Sequence, residues 1–137
     1  MNTEQTRQLI ERYYQALPKG NAAAIAELLT EDCEWLPPAT ADLSPIKGRD
    51  AVAEQFSGAL VKATFDLSQP FKLDVRRMVV DGDVAVVQQR LAATAKNGNA
   101  YQNDYCWVYE CRDGQIARME EYADTLLAAK VMGWAID

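Results

Sequence analysis

The sequence predicts an α+β domain in which helices precede a curled antiparallel sheet. The first third carries apolar residues at helical spacing, whereas the second half alternates and contains three tight-turn dipeptides. The turn glycines, Gly82, Gly98 and Gly114, are 16 residues apart each time. Equal spacing predicts a meander of strands well above the typical length of about 5–6 residues, and strands that long twist and curl. Three helices on such a sheet make a cone with one open end.

The predicted helices begin at residues suited to capping. Either Asn2, with Gln5 three residues later, or Thr3 is expected to cap a first helix whose apolar face includes Leu9 and Tyr13. Asn21 is expected to cap a second, shorter helix.

The remaining elements follow the same rules. A third helix is expected over about residues 50–60, and a short strand over residues 33–36. Asp124 precedes an apolar stretch, so we interpret it as the N-cap of a terminal helix rather than as a catalytic acid. The 137 residues show one core and no linker, which predicts a single domain, 1–137.

Charge and composition restrict the partners. The chain has 14 Lys and Arg against 20 Asp and Glu, a net charge of -6, and 49% hydrophobic residues. Nucleic acids and anionic membranes attract basic patches, so neither is an expected partner. The sequence has no secretory signal and no apolar run of spanning length, so a cytoplasmic protein is expected.

Histidine is absent from the chain. Its absence removes histidine bases and the usual zinc, copper and haem ligand sets, so we expect neither a metal nor a cofactor. The three cysteines, Cys33, Cys106 and Cys111, match no metal or redox spacing and are interpreted as reduced core thiols. Any chemistry must therefore use carboxylates, tyrosines, arginines, lysines or cysteines.

Five segments, in order along the chain, carry a family resemblance: residues 12–21, 32–35, 48–52, 113–118 and 121–125. Together they resemble the SnoaL-like branch of the nuclear transport factor two-like superfamily. The resemblance implies a cone-shaped, cystatin-like fold with a small-molecule pocket. Relatives include ketosteroid isomerases, limonene epoxide hydrolases, polyketide cyclases, dehydratases and non-catalytic proteins, so it implies a fold rather than one activity.

The resemblance also implies which strand faces line the pocket. Side chains alternate along a strand, so each strand contributes every second residue. The implied lining, strand by strand, is Cys33, Trp35 and Pro37; Val84, Val86, Gln88, Arg90 and Ala92; Asp104, Cys106 and Val108; and Met119, Glu121 and Ala123.

The ketosteroid isomerase pattern is matched only in part. Tyr13 matches the oxyanion-donating tyrosine of helix one, although a helix-face tyrosine is more often a core residue. Pro37 stands where the aspartate base would be and cannot accept a proton. Asp104 lies two residues from the position of the protonated aspartic acid. The resemblance therefore does not imply isomerisation by this mechanism.

The epoxide hydrolase pattern is also incomplete. Gln88 and Arg90 fall on the positions of its arginine and first aspartate, and Glu121 falls on its second. If Arg90 touches Glu121, the glutamate is an ionised base or part of a structural ion pair. If it does not, burial makes Glu121 an acid with a raised pKa, suited to proton transfer near neutral pH.

Two residue sets follow from these comparisons. The expected catalytic residues are Glu121, Arg90, Tyr13 and Asp104. The expected substrate-binding residues are Trp35, Gln88, Cys106, Val108, Met119 and Pro37. Trp35 is expected either to stack on a flat ligand or simply to pack.

The sequence thus predicts a cofactor-free enzyme that performs acid–base chemistry on a small, apolar, oxygenated molecule. The reaction would be an isomerisation, cyclisation, dehydration or epoxide opening. Two alternatives stay open: a non-catalytic binding module and an interaction protein with a vestigial pocket. A homodimer is expected through Tyr105, Trp107 and Tyr109 on the outer sheet face, unless these aromatic residues pack against the chain itself.

Overall fold

The computed structural model describes residues 1–135. Helices occupy most of the first half of the chain and long strands most of the second, which confirms the predicted α+β class. Within residues 1–135, no helix is both long and apolar enough to cross a membrane. The helices are α1 (Thr3–Ala16), α2 (Ala22–Ala26), α3 (Arg49–Glu54), α4 (Leu60–Thr64) and α5 (Thr125–Met132). The strands are β1 (Leu29–Leu36), β2 (Ile46–Lys47), β3 (Lys72–Asp81), β4 (Val84–Thr94), β5 (Ala100–Arg112) and β6 (Gln115–Ala123).

The six strands form one mixed sheet in the order β2-β1-β6-β5-β4-β3. The meander from β3 to β6 is antiparallel, with strands of 9 to 13 residues, as the turn spacing predicts. Gly82, Gly98 and Gly114 have positive φ angles at its three turns, a conformation that glycine adopts without steric cost. The pairing of β1 with β6 is parallel and follows from no local pattern in the sequence.

The sheet has an inner face, which carries the buried residues Trp35, Trp107 and Met119, and an opposite outer face. The helices α1, α2 and α3 contribute Leu9, Ile25, Val52 and other residues to the core on the inner face. A second apolar cluster forms where α5 meets β5. The inner face of the sheet is thus covered from several sides, by α1, α2 and α3 and by the terminal helix α5.

Three predicted helix caps are confirmed. The Asn2 side chain accepts a hydrogen bond from the Gln5 amide at 2.8 Å, and Gln5 accepts one in return from the Asn2 amide at 3.0 Å. Asn21 caps α2 at 3.2 Å, and Asp124 caps α5 by accepting from the Leu127 amide at 3.0 Å. The interpretation of Asp124 as the N-cap of the terminal helix is therefore confirmed.

The third predicted helix is longer and interrupted. Between α3 and α4 the helix is kinked over Gln55–Ala59, where Gly58 has a non-helical φ of 128°. Glycine adopts this φ without steric cost, so it permits the kink. The kinked segment carries Phe56.

Replacing Gly58 by alanine is expected to destabilise the protein by about 2 kcal/mol, because an L-residue is strained at this φ. An added Cβ would meet only the end of Lys62, at 3.9 Å, so the cost comes from the backbone. Urea unfolding measures the difference, with Ala59→Ser as the control on an exposed neighbour in ordinary helical conformation. A loss below about 0.5 kcal/mol would contradict the assigned conformation.

Candidate functional site

Glu121 lies on β6 and points to the inner face. Its side chain is buried, with 9% exposed, and accepts one hydrogen bond, from Trp35 Nε1 at 3.1 Å. Burial raises the pKa of Glu121 to about 7, and the indole hydrogen bond offsets only part of that rise. Both protonation states are therefore populated near neutral pH, as a general acid or base requires.

Arg90 does not reach Glu121. Its guanidinium forms a two-point ion pair with Asp104, Nε to Oδ1 at 2.8 Å and Nη2 to Oδ2 at 3.1 Å. This pair is solvent-exposed, on the outer face. The hydrogen bonds from Arg90 hold the pKa of Asp104 below its usual range, so Asp104 is ionised at neutral pH rather than a protonated acid.

The predicted faces of β4 and β5 are wrong by one residue. In the β5–β6 ladder, Trp107 is opposite Glu121 and Tyr109 is opposite Met119. The odd-numbered residues of β5 therefore share the inner face with Glu121, and so do their β4 partners. The residues that this moves from the predicted pocket to the outer face are Val84, Val86, Gln88, Arg90, Ala92, Asp104, Cys106 and Val108.

A β-bulge in β6 explains the shift. Close to the turn, Cys111 pairs with Ile116, but the next pair is Glu110 with Arg118, which leaves Ala117 as an additional residue. Counting without this bulge would pair Glu121 with Cys106, as the resemblance suggested. One inserted residue moves every side chain of the partner strand to the other face.

The predicted dimer residues Tyr105, Trp107 and Tyr109 are consequently interior residues, which corrects their assignment to an interface. Trp107 and Tyr109 are buried, and Tyr105 is half-buried. Burying several large rings is strongly favourable, so this face becomes the core. The alternation in β5 carries the missed signal, because aromatic residues occupy its odd positions and Gln, Asp and Glu occupy even ones.

Four predicted site residues do meet on the inner face. Tyr13, Trp35, Met119 and Glu121 are all buried. The Tyr13 hydroxyl contacts Met119 Sδ at 3.9 Å, and Trp35 lies beside Met119 in the β1–β6 ladder. Burial holds the pKa of Tyr13 well above its usual value, so its hydroxyl stays protonated. Pro37 follows β1 and is half-buried.

Aromatic rings surround the carboxyl group. Phe56, in the kinked segment Gln55–Ala59, lies edge-on to both Trp35 and Trp107, with ring centroids 5.2 and 5.7 Å away. Trp107 stacks on Tyr109 with an interplanar angle of 6°. The inner face around Glu121 is therefore largely filled by the chain's own rings.

Two hydroxyl networks flank these rings, and the sequence pointed to neither. Tyr14 donates to Gln89 Oε1 at 2.9 Å, so the 2.7 Å contact between the Tyr109 and Tyr14 hydroxyls must be donated by Tyr109. In the second network, the Tyr101 hydroxyl shares a hydrogen bond with the Tyr105 hydroxyl and accepts one from the side-chain amide of Asn103.

Other features that could bear on ligand or metal binding lie apart from Glu121. A surface groove of about 330 Å³ lies beside α5 and is lined by Leu43, Met132, Trp134 and their neighbours, away from Glu121. Within the described range, no three Cys, Asp or Glu side chains come close enough to hold a metal ion. Cys33 and Cys111 are buried free thiols, and burial raises the pKa of each to about 12.

Comparison with known proteins gives the family. An NTF2-like protein from Burkholderia xenovorans LB400 superposes with a TM-score of 0.78 over 96% of this chain and 98% of its own, at 20% identity. An NTF2-like protein from Burkholderia thailandensis E264 gives 0.78 over 96% and 98%, at 23% identity. The structure of TerC co-crystallised with polyporic acid gives 0.78 over 94% and 98%, at 22% identity.

Identities this low show a shared fold and not a shared activity. No curated protein sequence matches this chain significantly. The model of the SnoaL-like domain matches residues 10–119, which is most of the chain. By this match, the chain belongs to the SnoaL-like domain family.

Proposed function

We propose that this protein binds a small, largely apolar, oxygen-containing molecule over Glu121 and transfers a proton with that carboxyl group, without a cofactor. The observation that carries the proposal is the carboxyl group of Glu121, buried among aromatic rings with one neutral hydrogen bond from Trp35. Among residues 1–135 it forms no ion pair, so nothing holds it permanently ionised. Perturbed carboxyl groups of this kind concentrate at catalytic sites.

The chemistry follows from the two forms of Glu121. As a carboxylate it takes a proton from carbon beside a carbonyl, and returning that proton at a second carbon completes an isomerisation. In a dehydration the same proton is instead given to the β-hydroxyl, which leaves as water while the carbon–carbon double bond forms. As the acid it protonates the oxygen of an epoxide or a leaving hydroxyl. Arg90 and Asp104 have no part in these steps because they lie on the outer face.

Phe56 is the residue that we expect to make room for the ligand. It is half-buried and lies in the kinked segment Gln55–Ala59, whereas Trp35, Trp107 and Tyr109 lie on the sheet. Its ring covers both Trp35 and Trp107. TerC, which shares the fold, has been co-crystallised with polyporic acid, which supports a small organic ligand for this chain.

A non-catalytic binding protein is the second candidate. The observation that favours it is the aromatic lining of the inner face, because the parallel Trp107 and Tyr109 rings suit a flat apolar ligand without any reaction. This candidate needs the same site but no proton transfer.

A turnover assay separates the two. Purified protein is incubated with a panel of cyclic enones and epoxides, and products and bound ligand are followed by mass spectrometry. Turnover that disappears in Glu121→Gln while the ligand still binds supports the enzyme. Binding that responds to Glu121→Gln without any turnover supports the binding protein. A panel with neither binding nor turnover contradicts both.

We further propose a homodimer that packs the outer sheet face. Val79, Val86 and Val108 lie side by side across β3, β4 and β5, and the next row places Cys106 beside Tyr122. Val79 and Tyr122 are more than half exposed. An exposed apolar row of this extent on a sheet face is typical of a protein interface.

Replacing Val108 by Glu is expected to convert the dimer to a monomer, because it places an unpaired charge in the apolar row, beside Glu120. Light scattering after size exclusion measures the mass. Leu67→Glu is the control, since Leu67 is exposed outside the row and its replacement should leave the dimer intact. A monomeric wild-type protein would contradict the proposal.

A further inference from the structure

One buried hydrogen-bond donor on the inner face has no partner. The Trp107 side chain is 6% exposed, and none of the residues described by the structure accepts a hydrogen bond from its Nε1. Buried polar groups are nearly always hydrogen-bonded, because an unpaired one loses its hydrogen bonds to water on burial and gains none in return, which destabilises the fold. The other unpartnered buried side-chain atom, Thr6 Oγ1, belongs to α1.

Trp107 is also the residue opposite Glu121 in the β5–β6 ladder, so the two side chains leave the sheet side by side on one face. Phe56 covers the Trp107 ring and the Trp35 ring alike. The Trp35 indole already donates to Glu121. Of the two indoles under Phe56, only that of Trp107 has its N–H group free for a bound molecule.

We propose that Trp107 Nε1 donates a hydrogen bond to an acceptor oxygen of the bound molecule, next to the carboxyl group of Glu121. This inference rests on the proposed function and names the ligand class. An indole N–H only donates, so the ligand must present a carbonyl, ether or epoxide oxygen at this point. A donor placed there also stabilises negative charge that develops on the oxygen during proton transfer.

The test uses the indole N–H signals of the ¹⁵N-labelled full chain, which has three tryptophans. Trp107→Phe and Trp134→Phe assign the signals. The protein is titrated with 1-indanone and with indane, which have the same ring system but differ by the carbonyl oxygen. We expect saturating 1-indanone to move the Trp107 indole proton downfield, the direction of a new hydrogen bond, and indane not to do so.

Affinity provides the second readout. Trp107→Phe keeps an aromatic ring but removes the donor, so it should bind 1-indanone about fivefold more weakly and indane unchanged, the usual effect of one neutral hydrogen bond. Trp134→Phe is the matched control, because Trp134 belongs to the cluster around α5, and it should bind both compounds like the wild type. If Trp107→Phe fails to fold, Trp35→Phe together with Trp134→Phe assigns the Trp107 signal by elimination, and the wild-type titration decides alone.

Three results would overturn the inference. The first is a Trp107 signal that does not move although 1-indanone binds and moves the Trp35 signal; this result would leave the proposed function intact. The second is a Trp107 signal that already lies at a hydrogen-bonded position in the free protein, which would assign the donor to a buried water. The third is that neither compound binds on the inner face, which would contradict the proposed function as well.

Discussion

Replacing Glu121 by glutamine is expected to lower kcat by at least about 100-fold for any compound of the panel that the wild type converts. General acid–base catalysis by one group typically contributes about 10²–10⁴-fold. Glutamine has nearly the same shape, and its carbonyl oxygen can still accept the hydrogen bond from Trp35 Nε1. It cannot exchange a proton near neutral pH, so the loss isolates the chemical step from binding and packing.

The pH dependence of the wild-type rate then gives the role of Glu121. Since its pKa is raised to about 7, a base mechanism gives kcat/KM that rises with pH through about 7. An acid mechanism gives the opposite, a rate that falls through the same range. Whichever of these pH dependences the wild type shows, the residual rate of Glu121→Gln should lack it.

Glu120→Gln is the matched control for this experiment. Glu120 is the preceding residue of β6, carries the same carboxyl group and faces outward, where it accepts hydrogen bonds from Arg118 and Tyr122. It should retain the wild-type rate. A Glu121→Gln variant with wild-type kcat, or an equal loss in both variants, would contradict proton transfer by Glu121.

The second large effect is on stability. The pKa of Glu121 rises from 4.5 to about 7 on folding, so between these values the native state holds a proton that the unfolded state has released. Unfolding therefore becomes easier as pH rises through this window and levels off above about pH 7. This difference in pKa corresponds to about 3 kcal/mol in the free energy of unfolding, a contribution that is present at low pH and lost at high pH.

Urea unfolding at pH 4 and pH 8 measures this loss, and comparison with Glu121→Gln removes the contributions of other groups. The wild type should lose about 3 kcal/mol more than the variant between the two pH values. Glu120→Gln serves again as control, with the opposite sign: Tyr122 and Arg118 lower the pKa of Glu120, so its carboxylate stabilises the fold at neutral pH. Identical pH dependence in wild type and Glu121→Gln would contradict a buried, uncharged Glu121.

Much of the fold could be predicted from local chemistry. The caps at Asn2, Asn21 and Asp124 each depend on one side chain and an amide three residues away. The hairpin turns depend on glycines that tolerate positive φ, and Gly82 and Gly98 adopt it as expected. Each of these features is complete within a few residues, so the sequence contains all the information that it needs.

The resemblance placed the site residues of β1 and β6 on the correct face, but not those of β4 and β5. Trp35, Met119 and Glu121 reach the inner face as the resemblance implied, and Tyr13 meets them from α1. Gln89, Tyr101 and Trp107 were missed. They belong to β4 and β5, whose faces are set by pairing with β6 across the bulge at Ala117.

The sequence by itself therefore determined the α+β class, the order and caps of the helices, the turns of the meander and a carboxyl group at position 121 among apolar residues. Only the tertiary structure decided which side chains accompany that group. Local turns and caps are fixed by neighbours in the chain, whereas a strand's buried face depends on the register with its partner. Because β6 contains one additional residue, Trp107 rather than Cys106 lies opposite Glu121, and the Arg90–Asp104 ion pair lies on the outer face.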